Sequence, residues 1–368
     1  MREEENRRMK RENPLELPAP PLRMVAWEIT RSCNLNCVHC RAAAERGPYP
    51  GELNKEEALR LIDEIISFSS PVVILTGGEP LLREDIYDIA SYGTSRGLRM
   101  VIAPNGTLVD GEKARRLKAC GIQRASISLD GATPESHDRF RRVEGAFAGA
   151  LRGIEHLKEA GLEFQVNTTV TQKNISELPV ILELAVRLGA VAHHIFLLVP
   201  TGRGKELEGE ALQPGEYEKI LHWFYDQREK VPLQLKATCA PQYYRILRQR
   251  ARQEGKKVAP HSHGLDAVTR GCLGGIGFCF ISHQGQVQPC GYLEVFSGSL
   301  REQSLREIWE TSLVFKRLRD FSSYQGRCGH CEYIRVCGGC RARAFQVNGD
   351  FMSEEPLCVY KPEIKSPS

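Results

Sequence analysis

The sequence predicts an α/β protein: a partial, TIM-like (β/α)6 barrel followed by a small cysteine-rich C-terminal domain. Three observations carry this expectation. Six short β-rich runs alternate with helical patterns between residues 23 and 235. Of thirteen cysteines, eleven fall into three tight groups. After residue 270 the alternation gives way to Gly, Cys and short segments. The expected organisation is a tail (1–22), the barrel (23–235), a connecting segment (236–269), the cysteine-rich domain (270–362) and a second tail (363–368).

Taken in order, residues 1–22 mix charges and end in Pro14, Pro18, Pro20 and Pro21, a composition that resists a packed core. Strand-like runs occupy 24–29, 72–76, 99–103, 124–129, 163–170 and 194–199. Between the first two, residues 55–66 place Ala58, Leu59, Leu61, Ile62, Ile65 and Ile66 on one helical side. Asn54, with Glu57 three residues on, makes a capping signal. Strand–helix units in series call for a parallel sheet with helices outside. Six units fall short of an eight-stranded closed barrel, so the barrel is expected to be open, with its site at the C-terminal strand ends. Further helices are expected at 214–228 and at 242–253, the latter carrying Tyr243, Tyr244, Arg245, Arg248, Arg250 and Arg252.

Composition narrows the function classes. The net charge of +4 is too small to indicate a nucleic-acid binder. No apolar run approaches the roughly 18–20 residues of a membrane span. Residues 1–13 contain no apolar stretch of the kind a secretory signal needs, so a reducing, cytoplasmic setting is expected. Disulfides do not persist there, and clustered cysteines read as metal or iron–sulfur ligands.

The first group, Cys33-x3-Cys37-x2-Cys40, directly follows the first strand. Three thiolates can hold three corners of a [4Fe–4S] cube and leave the remaining iron open. A structural zinc site would need a fourth ligand, for which His39 is available. This pattern at the end of strand one of a partial barrel resembles the radical S-adenosylmethionine (radical SAM) enzymes. The resemblance implies that the open iron chelates the amino and carboxylate groups of SAM. A low-potential donor such as ferredoxin or flavodoxin would supply the electron that cleaves SAM to methionine and a 5′-deoxyadenosyl radical. It further implies that Gly77, Gly78 and Glu79 after strand two bind the SAM amino group, with Asn105 at the end of strand three. Ser128 and Asp130 at strand four, Arg141 beyond it and Asn167 on strand five would contact the ribose and carboxylate. His39 stands where relatives carry an aromatic residue and could lie against adenine.

The C-terminal groups are Cys272, Cys279 and Cys290, then Cys328-x2-Cys331-x5-Cys337-x2-Cys340-x17-Cys358. Eight thiolates suffice for two fully ligated clusters or for paired zinc sites. Their order resembles the SPASM extension of radical SAM enzymes. That resemblance implies two auxiliary [4Fe–4S] clusters: an inner one on Cys272, Cys279, Cys290 and Cys340, and an outer one on Cys328, Cys331, Cys337 and Cys358. Relatives often have three residues where Gly338 and Gly339 separate Cys337 from Cys340.

Segments 194–204, 236–245 and 269–283 resemble the haem synthases of the sirohaem-dependent pathway. The resemblance implies oxidative decarboxylation of two propionates of Fe-coproporphyrin III to vinyls, giving haem b. The radical would remove a propionate β-hydrogen; loss of CO2 and one electron would leave the vinyl group, an auxiliary cluster accepting the electron. Arg203, Lys236, Arg245, Arg248 and Arg270 are the cations expected to meet the substrate carboxylates. Tyr243 and Tyr244 could stack on the macrocycle or pack within a helix. Cys239, used by neither expected cluster, and His193, His194, His261 and His263 are candidates to approach the haem iron. Cys120 reads as a core residue. The alternatives are the didecarboxysirohaem deacetylase, the tailoring enzyme of the nitrite-reductase haem, a peptide maturase and, from another class, a zinc-dependent scaffold. Anaerobically purified protein is expected to be brown and rich in iron and sulfide; a colourless protein containing stoichiometric zinc would favour the scaffold.

Overall fold

The computed structural model describes residues 18–256 and 270–363. The six expected strands are β1 (Met24–Thr30), β2 (Val72–Gly77), β3 (Arg99–Ile102), β4 (Ala125–Ser128), β5 (Phe164–Val170) and β6 (Ala192–Leu197). Four strands that the alternation did not disclose follow: β7 (Gln234–Thr238), β8 (Phe278–Ile281), β9 (Gln286–Gln288) and β10 (Gly298–Ser299). Together they form one sheet in the order β10-β9-β8-β1-β2-β3-β4-β5-β6-β7. From β8 to β7 every neighbour is parallel, and β9 and β10 add antiparallel at one edge. β7 straddles the expected boundary at residue 235, and β8, from the cysteine-rich segment, pairs with β1 in the barrel's own sheet.

The helices are α1 (Lys55–Phe68), α2 (Ile86–Ser95), α3 (Gly111–Ala119), α4 (Pro134–Arg141), α5 (Ala146–Glu159), α6 (Leu178–Leu188), α7 (Pro214–Asp226), α8 (Gln242–Gln253), α9 (Leu305–Thr311), α10 (Leu313–Arg319), α11 (Gly326–Gly329) and α12 (Arg341–Asn348). α1 begins with the expected capping box, Asn54 accepting from the Glu57 amide while Glu57 accepts from the Asn54 amide. Among the described residues no helix is long and apolar enough to cross a membrane.

Strand alternation divides the sheet into two faces. Val25, Trp27 and Ile29 of β1, Val73 and Leu75 of β2, and Ile195 and Leu197 of β6 lie in the core with Ala58, Leu61, Ile62 and Ile65 of α1. The opposite, concave face carries polar residues. Register pairs Ser128 with Asn167, Asn167 with His194 and His194 with Lys236, so these four form one row across β4 to β7. All four keep some solvent-accessible surface.

Glu28, on the same face of β1, is fully buried. It accepts from Arg41 Nη2 at 2.7 Å and contacts His283 Nδ1 at 2.7 Å, so it ties the loop after β1 to the end of β8. Burial alone would raise its carboxyl, but Arg41, His283 and Arg31 override this and hold it at about 2. A folded pKa below the ordinary carboxylate value stabilises the fold above about pH 4.5, and that contribution is lost as pH falls towards 2. Glu28→Gln, which strands the Arg41 charge, is expected to cost about 3–5 kcal/mol. It should also flatten the acid limb of stability, as measured by denaturant unfolding between pH 5 and 2.

Candidate functional site

The loop after β1 gathers Cys33, Cys37 and Cys40 at the C-terminal ends of the parallel strands. Each sulfur accepts an N–H: Leu35 N to Cys33 Sγ at 3.4 Å, Arg141 Nη1 to Cys37 Sγ at 3.5 Å and Ala44 N to Cys40 Sγ at 3.4 Å. Donors aimed at sulfur fit a thiolate, the form that ligates iron. Cys120 behaves in the opposite sense: its thiol donates to Leu117 O from the end of α3, as a core cysteine would.

Three segments, following β2, β3 and β4, hold this loop. After β2, the Glu79 amide donates to Ser32 O at 2.7 Å and the Gly78 amide to Thr30 O at 2.9 Å. A Cβ at Gly77 would stand 2.2 Å from Thr30 O, and one at Gly78 would stand 2.4 Å from both Arg31 O and Ser32 O. The glycines are therefore required by the backbone of β1's own extension. Glu79 is fully buried and accepts from Asn105 N at 2.7 Å and Leu81 N at 3.0 Å. Burial nevertheless pushes its carboxyl up to about 7. From β3, Asn105 Nδ2 donates to Asn34 Oδ1 and Asn34 Nδ2 to Thr107 Oγ1, both at 2.8 Å, within the cysteine loop's reach. Beyond β4, Arg141 forms a close ion pair with Asp130, whose other oxygen accepts from Thr169 N at 2.7 Å. The next residue, Arg142, caps α4 with φ 54°, a left-handed conformation suited to glycine, and turns outward to Glu206.

The expected substrate cations are dispersed. Arg203 is committed to the cysteine loop, donating to Cys37 O and Ala44 O at 3.0 Å each. Arg245 is buried in α8 and paired with Glu218 at 2.6 Å. Arg270 donates to Ile334 O at 3.0 Å and lies over the Phe321 ring. Arg248 is exposed on α8. Lys236 alone of the five stands on the concave face, in the row with His194, Asn167 and Ser128. Tyr243 and Tyr244 pack in the helix-side core, so neither offers a face for stacking. His193 is fully buried against Thr168 Oγ1 at 2.9 Å, which removes it as an iron ligand. His194 is held by Gln165 at 2.9 Å. His261 and His263 lie outside the described residues. His39 packs its ring on Phe140, centroids 4.6 Å apart.

In the C-terminal segment, Cys328, Cys331, Cys337 and Cys358 line one shallow pocket, with Arg245, Arg327 and Glu355 on its wall. Here too sulfurs accept N–H groups: Gly339 N to Cys337 and Glu355 N to Cys328, both at 3.4 Å. Gly338 and Gly339 have φ of 75° and 61°, which makes the short turn between Cys337 and Cys340. Three members of the other set that the resemblance implies lie near one another and the remaining one stands apart. Cys272, Cys290 and Cys340 lie within electrostatic reach of one another, whereas Cys279 is fully buried in the helix-side core beside Val25.

Residues without a sequence signal complete the site. Arg343 of α12 is buried and pairs with Glu355 at 3.2 Å. Its Nη2 donates to Leu198 O at 3.2 Å and Cys239 O at 3.0 Å, at the ends of β6 and β7. Tyr292 lies within electrostatic reach of Arg41 and Cys40 on one side and of Cys239 and Cys290 on the other. Burial raises its phenol far above the ordinary tyrosine range. Cys40, Arg41, His194, Lys236, Cys239, Cys290 and Tyr292 each keep some accessible surface.

Residues 27–185 match the radical SAM superfamily, and residues 272–341 match the iron-sulfur cluster-binding SPASM domain. The chain is 55% identical over 353 residues to an AdoMet-dependent heme synthase of Nitratidesulfovibrio vulgaris, covering 96% of both chains. It is 32% identical to a Fe-coproporphyrin III synthase of Methanosarcina barkeri, covering 92% of this chain and 88% of that one. In fold it resembles Streptococcus suis SuiB bound to precursor peptide SuiA, with a TM-score of 0.71 at 15% identity, covering 93% of this chain and 76% of that one.

Arg203→Ala would leave two loop carbonyls without their donor, a loss of about 1–3 kcal/mol concentrated on the cysteine loop. The variant is expected to fold but to retain less iron at this loop during anaerobic gel filtration, measured as iron per chain and as the SAM-sensitive EPR signal.

Proposed function

The chain belongs to the radical SAM superfamily and carries a SPASM iron–sulfur domain, and we propose that it is a haem synthase that oxidatively decarboxylates two propionates of Fe-coproporphyrin III to vinyls, giving haem b. The observation that carries this reading is the 55% identity over 96% of both chains to an AdoMet-dependent heme synthase. The substrate is supported by a relative named for making Fe-coproporphyrin III, which differs from haem b by two propionates in place of two vinyls. A tetrapyrrole with four carboxylates also suits a strand face that carries Lys236 in one row with His194, Asn167 and Ser128.

In this reading Cys33, Cys37 and Cys40 hold the cluster that binds SAM, and the C-terminal cysteines hold two auxiliary clusters; a low-potential ferredoxin or flavodoxin is the reductant. When bound and reduced, the first cluster supplies the deoxyadenosyl radical that takes the propionate β-hydrogen, and an auxiliary cluster takes the electron released with CO2. The chain's own residues bind and orient. Glu79, kept near neutrality by burial, gains its charge when an ammonium group arrives against it. Arg141 and Asp130 neutralise each other, so their close pair fixes Cys37 without adding net charge beside it. Lys236 receives a substrate carboxylate, and the Ser128–Asn167–His194 row offers hydrogen bonds around it.

The test is an anaerobic assay of reconstituted protein with SAM, reductant and Fe-coproporphyrin III, read by mass spectrometry. Loss of two carboxyl groups in steps, with one deoxyadenosine per step, is the expected result. Deoxyadenosine with no porphyrin product would overturn the substrate and leave didecarboxysirohaem, the nitrite-reductase haem precursor and peptides to be tried. Lys236→Ala is expected to lower kcat/KM about 10- to 100-fold, mostly through KM, since a charged hydrogen bond contributes about 1.5–3 kcal/mol in ground and transition states alike.

A further inference from the structure

We infer that Cys239, and not Cys279, is the fourth thiolate of the inner set with Cys272, Cys290 and Cys340. The inference rests on the reading that the C-terminal cysteines hold iron–sulfur clusters.

Cys279 sits on β8 in register with Val25 of β1, and both side chains are fully buried among Trp27, Ile281 and Val287 on the helix side of the sheet. Burial is the one influence on its thiol, and no other cysteine bears on it. Cys239 has the opposite surroundings. It packs with Cys290 and Cys340 in a second core that includes Val199 and Leu293. Cys340, Cys290 and Cys272 all act electrostatically on its sulfur.

The backbone is arranged to put it there. Cys239 directly follows β7 with φ 55°, a left-handed conformation that non-glycine residues rarely adopt. Its carbonyl is gripped by Tyr217 Oη and Arg343 Nη2, each at 3.0 Å. Arg343 also binds Glu355, which accepts the Cys340 amide at 2.6 Å. One buried network thus fixes the backbones of Cys239 and Cys340 together. A ligand at this point joins the inner cluster to the strand that carries Lys236, three residues earlier, and so to the rim of the concave cavity. Cys239 is then occupied and is not a ligand to the haem iron.

The experiment compares the full chain with Cys239→Ala and Cys279→Ala after anaerobic reconstitution, by iron and sulfide per chain and by EPR of reduced and oxidised samples. The unaltered chain should hold about 12 iron atoms, three four-iron clusters. Cys239→Ala should lose about one to four of them, with a three-iron signal where loss is partial, and Cys279→Ala should lose none. Cys239→Ser, which keeps an oxygen ligand, should retain iron with a shifted EPR spectrum, and it decides the matter should the alanine variant not fold. Iron loss from Cys279→Ala, or full retention with an unchanged spectrum in both Cys239 variants, would overturn the assignment. An unaltered chain with only about four iron atoms, all SAM-sensitive, would overturn the two-cluster reading itself.

Discussion

The buried pair of Arg343 and Glu355 is the interaction on which the arrangement of the C-terminal cysteines depends. Both groups are removed from water, at a desolvation cost of several kcal/mol each. Their attraction offsets that cost because both terminal nitrogens of Arg343 and both oxygens of Glu355 are hydrogen-bonded; only Arg343 Nε is left without a partner. Arg343 donates to Leu197 O, Leu198 O and Cys239 O; Glu355 accepts from Cys340 N and Leu357 N. The pair therefore fastens α12 to the ends of β6 and β7. It sets how the cysteine-rich segment sits against those strand ends.

The same economy governs the other buried cations. Arg41 is spent on Glu28, Arg141 on Asp130, Arg203 on loop carbonyls and Arg245 on Glu218. Each is a structural tie that commits a cation to the fold and leaves fewer charges for a ligand than a count of Lys and Arg suggests. What remains on the concave face is a polar row with Lys236 at its end, a surface suited to a large flat ring with carboxylates at its margin. Tyr292 is within electrostatic reach of both Cys40 and the Cys239–Cys290 pair.

The barrel was legible because its strands alternate strictly. Expected runs and observed strands differ by about two residues, and the Asn54–Glu57 cap lies where the pattern put it. β7 escaped because Gln-Leu-Lys-Ala-Thr is short and its cavity face is polar. β8 escaped because its partner, β1, lies some 250 residues earlier, a pairing that no local pattern records. The first cysteine loop was legible because all three cysteines are local. The surroundings of Cys279 were not legible: the order of cysteines puts it beside Cys272, but β8 alternation turns it to the helix side, and nothing local records that Cys239, following another strand, packs with Cys290 and Cys340. Arginine roles were opaque for the same reason. Nothing within ten residues of Arg343 or Arg203 names the carbonyls they bind.

The central claim is that the concave cavity presents a propionate side chain to the radical formed at the first cysteine loop. It is tested most directly with Fe-coproporphyrin III deuterated at the propionate β-carbons. The 5′-deoxyadenosine formed with each vinyl group should carry one deuterium by mass spectrometry. Haem b formed alongside unlabelled deoxyadenosine would contradict the account.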